Sequence, residues 1–331
     1  REWNIEGYTK LGFRLPKVSG FVGLRIAGED RKGSLGGGLG DFFRSGSELL
    51  TSASLRYAPA RDHELSLTHS SSYTRPSYRD LLGYTSVASA AFLRKGNSAL
   101  RTAYRRGLSL NYTYMRAAQL ELSYTDTEDP IVEAMPPMLG GGLVLRRYNL
   151  DYSRTLRALL VLPLPLVSQK KFSWLALTIL AAQRQWDAGR IETNDYSAAL
   201  NTQFVQHRHS FSLPSDWTVD LGVTYYSGVL YELYRIQRQW WVDASVSKRI
   251  GNLRATLSAR DPFNTNIARG SYNPVVNGLA FERNWHSPRL ELTISYSWGK
   301  KSVKAQDTRA RYDDLKRLTT GASEGMNTPA Q

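Results

Sequence analysis

Few side chains in this 331-residue sequence have the type and spacing that chemistry needs. His207 and His209 stand two residues apart, so a strand would put them on one face, where a pair could hold a metal. No carboxylate lies near them in sequence to complete a ligand set. His63, His69 and His286 are isolated. Ser70 and Ser71 follow His69, a combination open to hydrolysis, but no Gly-x-Ser-x-Gly elbow exists and the serine run fits a polar strand face. Asp126, Glu128 and Asp129 could take a cation at a loop mouth; solvated charge is the simpler reading. Gly36-Gly37-Gly38 and Gly140-Gly141-Gly142 lack the following Lys-Ser or Lys-Thr of a phosphate loop, and no helix follows them. They read as loops. With no cysteine in the chain, thiolate metal sites and disulfides are excluded. No residue is therefore assigned a catalytic, cofactor or metal role, and the chain is not expected to be an enzyme.

The elements that carry these side chains declare themselves by alternation. In Arg289-Leu-Glu-Leu-Thr-Ile-Ser-Tyr-Ser-Trp298 the apolar residues Leu290, Leu292, Ile294, Tyr296 and Trp298 share one parity. Arg289, Glu291, Thr293, Ser295 and Ser297 share the other. A strand with that pattern has one greasy and one polar face. Its greasy face ends in Tyr296 and Trp298, residue types that favour a membrane–water interface. The pattern recurs along the chain, in residues 3–15, 21–28, 49–57, 64–71, 107–114, 120–125, 143–162, 172–186, 196–213, 217–225, 240–247 and 253–260. In 196–213 the apolar parity is even up to Phe204 and odd from Val205, which predicts a β-bulge near Phe204.

About thirteen strands result, joined by connections that alternate short and long. Short turns follow Leu15, Tyr57, Met115, Leu162, Leu213 and Ile250; the turn after Leu162 is expected to hold Pro163 and Pro165. Loops around Gly37, Tyr84, Pro136 and Asn273 are long. Such alternation is the mark of an outer-membrane barrel, with tight periplasmic turns and long external loops. No apolar run approaches the ~20 residues of a membrane-spanning helix, and the mean hydropathy of -0.40 suits strands that turn half their residues to a polar lumen. The net charge of +14 raises nucleic-acid binding as a rival. Arg and Lys are spread along the whole chain, however, so no nucleic-acid partner is expected. Both the first and last strands run toward the tight turns, which gives an odd count. Bacterial single-chain barrels have even counts, so further strands are expected to complete this one.

Several motifs are more particular. Tyr73-Thr-Arg-Pro-Ser-Tyr-Arg-Asp-Leu81, Lys95-Gly-Asn-Ser-Ala-Leu100, Ser210-Phe-Ser-Leu-Pro-Ser-Asp-Trp217, Thr224-Tyr-Tyr-Ser-Gly228, Asp261-Pro-Phe-Asn-Thr-Asn266 and Ser295-Tyr-Ser-Trp-Gly-Lys300 occur in this order. Over residues 60–300 the set resembles the C-terminal barrel of Bacteroidota TonB-dependent receptors, the outer membrane protein β-barrel family. Ser98 stands where that family usually has proline, Ala103 near a usual acidic residue, and Trp298 for a usual phenylalanine.

The resemblance implies an all-β, transmembrane antiparallel β-barrel in the cell outer membrane, part of a larger barrel of about 22 strands, without the plug domain. Residues 1–299 would be barrel and 300–331 a charged periplasmic C-terminal tail. The implied function is passage of a ligand across the outer membrane, with a plug domain and the TonB system as partners besides outer-membrane lipid. The alternatives are a non-transporting barrel subunit of an outer-membrane assembly, with a surface lipoprotein or other outer-membrane subunits as partners, and an outer-membrane hydrolase.

Overall fold

A computed structural model describes residues 2–33, 42–83, 85–89, 92–135, 143–272, 280–284 and 288–298. The strands in chain order are β1 (Glu2–Arg14), β2 (Val18–Gly33), β3 (Phe42–Ala60), β4 (His63–Thr74), β5 (Thr85–Ser89), β6 (Phe92–Lys95) and β7 (Ala103–Tyr114). There follow β8 (Ala118–Glu128), β9 (Ile131–Ala134), β10 (Leu143–Ser168), β11 (Ser173–Ile191), β12 (Asn194–Leu213) and β13 (Trp217–Tyr226). The last are β14 (Val229–Tyr231), β15 (Tyr234–Ile236), β16 (Gln239–Ile250), β17 (Leu253–Arg260), β18 (Ile267–Tyr272), β19 (Ala280–Asn284) and β20 (Arg289–Tyr296). One helical turn, α1 (Tyr78–Leu81), lies between β4 and β5.

Thirteen of these strands form one path in chain order, β1-β2-β3-β4-β7-β8-β10-β11-β12-β13-β16-β17-β20, each pair antiparallel. The strand count and the order agree with the alternation. Among the described residues β1 pairs only with β2 and β20 only with β17, so the sheet has two edges and is not closed on itself. The six tight turns share one rim. Met115 and Arg116 both take positive φ in the three-residue connection 115–117, where the Ala117 N–H donates to the Tyr114 carbonyl at 3.0 Å; Gly251 does so at the last turn.

Register assigns the faces. Leu24, Leu49, Leu55, Leu67, Leu110 and Leu122 lie on the outer face and are exposed. An apolar surface running over a whole sheet cannot face water. Aromatic rings bound it on both sides: Tyr57, Tyr114, Trp217 and Tyr296 near the tight turns, and Trp3, Tyr124, Trp186, Tyr225 and Trp240 near the far rim. Trp217 and Tyr225 stand eight residues apart, roughly 27 Å along the strand and ~19–22 Å along the normal at the usual tilt. That is close to the height of a bilayer's apolar band.

Three expectations need correction. Pro163 and Pro165 do not make the turn; β10 continues to Ser168 and the chain reverses at Gln169, whose N–H donates to the Phe172 carbonyl at 2.9 Å. Both prolines lie beyond Val161, the last β10 residue paired with β8, so that edge has no ladder for a missing N–H to break. The bulge near Phe204 is absent: the β11–β12 ladder runs from 173–191 against 194–212 without a shift. Phe204 is instead where β13 ends. Above it, the even-numbered residues leave the polar wall and enter an apolar rim core, in which Tyr196 is buried. The side-chain environment changes, not the backbone. Thirdly, β11 and β12 are joined by Glu192 and Thr193 alone, a tight hairpin projecting past its neighbours where a loop was expected.

Candidate functional site

The inner face is a wall of short polar side chains. Ser70, Gly107, Thr125 and Thr155 succeed one another across four strands, as do Thr68, Ser109, Ser123 and Arg157. They line a trough of about 600 Å³ together with Arg105, Glu121 and Gln183. Hydroxyls offer donors and acceptors without bulk, so this wall can exchange hydrogen bonds with a passing polar solute. Further round, Arg208, Asp220, Asp243, Arg260, Arg289 and Glu291 line a charged hollow of about 230 Å³. Between the two the wall turns apolar: Leu159 and Val161 of β10 pair with Ala181 and Ile179 of β11, and Pro163 with Leu177. The outer face is apolar there too, which is why this stretch is the longest greasy run in the sequence.

The motif Tyr73–Leu81 lies against the inner face of β1 and β2. The Ser77 hydroxyl accepts from the Asp80 N–H at 3.2 Å and donates to its carboxylate at 2.6 Å, a reciprocal cap on α1. The Pro76 carbonyl accepts from buried Arg31 at 3.0 Å. Arg31 also stacks over the Tyr78 ring at 4.4 Å, and Tyr78 donates to Glu2 at 3.0 Å. Arg75 pairs with buried Glu29 at 2.8 Å. The segment Lys95–Leu100 locks onto this turn. A Cβ on Gly96 would sit 1.7 Å from the Leu82 carbonyl oxygen, so only glycine fits. Asn97 donates from its backbone to the Asp80 carbonyl at 2.5 Å and from its side chain to the Arg147 carbonyl at 2.8 Å. Leu81 and Leu100 are fully buried beside Phe42.

The far rim holds a second sheet, β14-β15-β18-β19, and an apolar core of Val132, Met135, Leu150, Ile191, Tyr196, Leu233 and Tyr272. The Tyr272 hydroxyl oxygen accepts the Met135 N–H at 2.9 Å. Glu232 accepts the Glu133 N–H at 3.0 Å. Burial pushes the Glu232 carboxyl above its usual range, against that hydrogen bond and Arg147, which pull it down. The motif Asp261–Asn266 closes on itself: fully buried Asp261 accepts from the Thr265 N–H and hydroxyl and the Asn266 N–H at 2.9, 3.0 and 3.1 Å.

Among the described residues, the side chains with catalytic or ligating chemistry do not converge beyond the His207–His209 pair. The His207 and His209 Nε2 atoms lie 2.9 Å apart, while the Nδ1 atoms meet the Thr178 hydroxyl at 2.8 Å and the Trp174 indole at 2.9 Å. The four ring nitrogens are thus engaged. Ser70 faces the inner wall, whereas His69 shares the outer face with Thr51, 2.9 Å away. His63 bonds the Tyr112 hydroxyl at 2.7 Å. Asp126, Glu128 and Asp129 are held by three different arginines, Arg154, Arg106 and Arg101, and do not face one cation. Among the described residues no cluster of three metal-ligating side chains occurs. His286 and the glycine triplets lie outside the described residues, as do Tyr84, Pro136, Asn273 and residues 299–331. Sequence reasoning missed the rim sheet and the Glu29–Arg31–Arg75 cluster; Arg75 and Tyr78 in the Arg-Pro-Ser-Tyr motif were the signal that could have found the latter.

A model of the outer membrane protein beta-barrel family matches residues 1–296. The chain belongs to that family. Its place is the cell outer membrane, where the apolar outer face meets lipid. Solved structures agree in fold. The FrpB iron transporter of Neisseria meningitidis is 14% identical with a TM-score of 0.60, over 89% of this chain and 46% of that one. A mutant ferric enterobactin receptor of Pseudomonas aeruginosa with enterobactin bound is 13% identical, with a TM-score of 0.53, over 89% and 54%. The siderophore receptor PirA of Acinetobacter baumannii is 12% identical, with a TM-score of 0.50, over 90% and 55%. The chain spans about half the length of these structures. No curated protein matches it. Transporters and receptors, not enzymes, are what this member of the family is similar to in fold.

Proposed function

We propose that the chain is part of a TonB-dependent receptor of the Bacteroidota kind, which passes a ligand through the outer membrane. The observation that carries this reading is the inner wall: Ser, Thr and Arg side chains line a trough of about 600 Å³ behind a lipid-facing sheet. A polar wall of that size is unnecessary in a barrel filled by its own side chains. The motifs Tyr73–Leu81 and Lys95–Leu100, by which the chain resembles Bacteroidota receptors, support the assignment because they pack together. Further strands complete the wall, a plug domain occupies the lumen, and the TonB system supplies the energy. On this reading the charged residues 300–331 lie on the periplasmic side.

The test compares the solutes that wild-type and gene-deleted cells remove from a rich medium, with and without a protonophore. Loss of one protonophore-sensitive uptake in the deletion strain supports transport. Identical depletion in both strains, with fixed-stoichiometry co-purification of other membrane proteins, identifies a scaffold subunit instead.

A further inference from the structure

We propose that the tight-turn rim is a cationic belt that holds the anionic headgroups of the lipid leaflet around it. The six tight connections are residues 15–17, 61–62, 115–117, 169–172, 214–216 and 251–252. Four of them carry a cation of their own: Lys17, Arg61, Arg116 and the pair Lys170–Lys171. The other two are supplied from the end of β16. There Lys248 donates to the Ser215 carbonyl, and Arg249 donates to the Gly251 carbonyl at 3.1 Å. Every connection thus has at least one positive charge. Against these seven cations the connections hold two carboxylates, Asp62 and Asp216.

These charges are not neutralised within the described chain. The side chains of Lys17, Arg61, Arg116, Lys170 and Lys171 are exposed and form no ion pair or hydrogen bond among the described residues. The far rim differs. There Arg106, Arg154 and Arg190 pair with Glu128, Asp126 and Asp195 at 3.1, 3.0 and 3.1 Å. Like charges along one rim repel each other, and a counter-charge outside the chain relieves that repulsion.

Position identifies that counter-charge. Tyr57, Tyr114, Trp217 and Tyr296 end the apolar band on this side, and such residues sit at headgroup level. Arg116 follows Tyr114 by two residues and Arg61 follows Tyr57 by four. The Lys248 ammonium lies 5.0 Å from the centre of the Trp217 ring. The belt therefore stands at the level of the headgroup phosphates. From Lys17 to Lys248 it crosses the ten strands from β2 to β16, an arc of roughly 43 Å at about 4.8 Å per strand. A protein partner would meet a patch on one side. A charge repeated at every hairpin matches a leaflet, which surrounds the rim. An anionic phospholipid brings a phosphate with no cation beside it, so it is favoured over a zwitterionic one. The attraction accumulates charge by charge and is screened by salt.

The test uses the protein purified from outer membranes and reconstituted in phosphatidylcholine vesicles. A trace of spin-labelled phosphatidylglycerol or phosphatidylcholine is added, and electron paramagnetic resonance gives the motionally restricted fraction of each. Phosphatidylglycerol should be preferred about fivefold, the effect of one cation near an anionic surface. Sodium chloride at about 1 M, where the Debye length is about 3 Å, should remove most of that preference. Arg61→Gln, Arg116→Gln and Lys171→Gln together should cut it by about half, the share of three among seven equivalent cations. The restricted phosphatidylcholine fraction, which reports the lipid perimeter of an intact barrel, should not change. Arg61→Lys with Arg116→Lys should keep the preference, because a leaflet responds to charge and not to the guanidinium fork. The charge-matched far-rim set Arg106→Gln, Arg154→Gln and Arg190→Gln should leave it in place. Equal restriction of the two lipids by the wild type overturns the proposal. So does a preference that the three turn substitutions leave intact, or one that the far-rim set reduces as much.

Discussion

An arginine placed on the lipid side of β7 should cost far more than one placed a residue away on the lumen side. Leu110 is the position of choice. It pairs with Leu67 on β4 and Leu122 on β8, both apolar and outward. It lies four residues above Tyr114, and its partner Leu122 lies two below Tyr124, so it sits near the middle of the apolar band. Leu110→Arg should cost roughly 2–4 kcal/mol, a loss of about 30- to 700-fold in the folding equilibrium at about 1.4 kcal/mol per decade. Ser109 faces inward between Thr68 and Ser123. Ser109→Arg puts the same charge into a wet trough that already holds Arg105 and Arg157, and should stay within about 0.5 kcal/mol. The assay is urea-titrated folding of the chain into lipid vesicles, read by protease protection. Equal penalties at the two sites, or a larger one at Ser109, would refute the assignment of faces and the membrane reading with it.

Gly96→Ala should loosen the packing of Lys95–Leu100 onto α1, because its Cβ would overlap a backbone carbonyl that has no rotamer to yield; proteolysis between β4 and β7 should accelerate. Ser77→Ala removes the α1 cap and should cost about 1 kcal/mol, seen as faster amide exchange at Asp80 and no change in the β10–β12 ladders. Glu232 has a folded-state carboxyl pKa raised by burial. Its contribution to rim stability is full below the ordinary 4.5 and is lost as pH rises through the raised value. Glu232→Gln should therefore slow proteolysis of the rim most at neutral pH and least in acid; a gain independent of pH would contradict the assignment. Cysteine placed in the Pro214–Asp216 turn should stay unlabelled by an impermeant thiol reagent on intact cells, while cysteine at Tyr231 on the far rim reacts; the reverse would invert the topology.

The wall was legible because a half-lipid strand writes its face assignment into parity. Leu108, Leu110 and Tyr112 against Ser109 and Asn111 give both the strand and its orientation, and the tight turns between such strands leave little room for error. The rim was not. Val132, Leu150, Tyr196 and Tyr272 meet across more than a hundred residues of sequence, and their burial follows from how the far-rim connections stack, which no local period encodes. Separation in sequence also hid the ion cluster, where Arg75 reaches back to Glu29. Pro163 and Pro165 misled for a different reason. Proline is a breaker only where its missing N–H would have served a ladder, and that depends on how far β8 extends, not on the prolines. At Phe204 a change in apolar parity was read as a change in backbone; the wall simply gives way to the rim core at that height.

The two edges of the sheet limit what can complete it. From β1 to β20 the path has thirteen antiparallel strands, so its two edge strands run in the same direction. A second copy of the chain inserted with the same topology would bring β20 of one beside β1 of the other, and both run the same way. That seam would be parallel, whereas bacterial barrels of this class are antiparallel throughout. Copies related by an axis along the membrane normal keep their strand directions, so no such arrangement escapes the difficulty. An antiparallel seam at both edges instead requires an insert whose outer strands each run opposite to β1 and β20, and such an insert has an odd number of strands. Nine would bring the total to the roughly 22 of the large plugged barrels. Left open in lipid, each unpaired backbone group along the edges that β1 and β20 form among the described residues would cost several kcal/mol, which favours the proposed completion by such a partner sheet over assembly from copies of this chain alone.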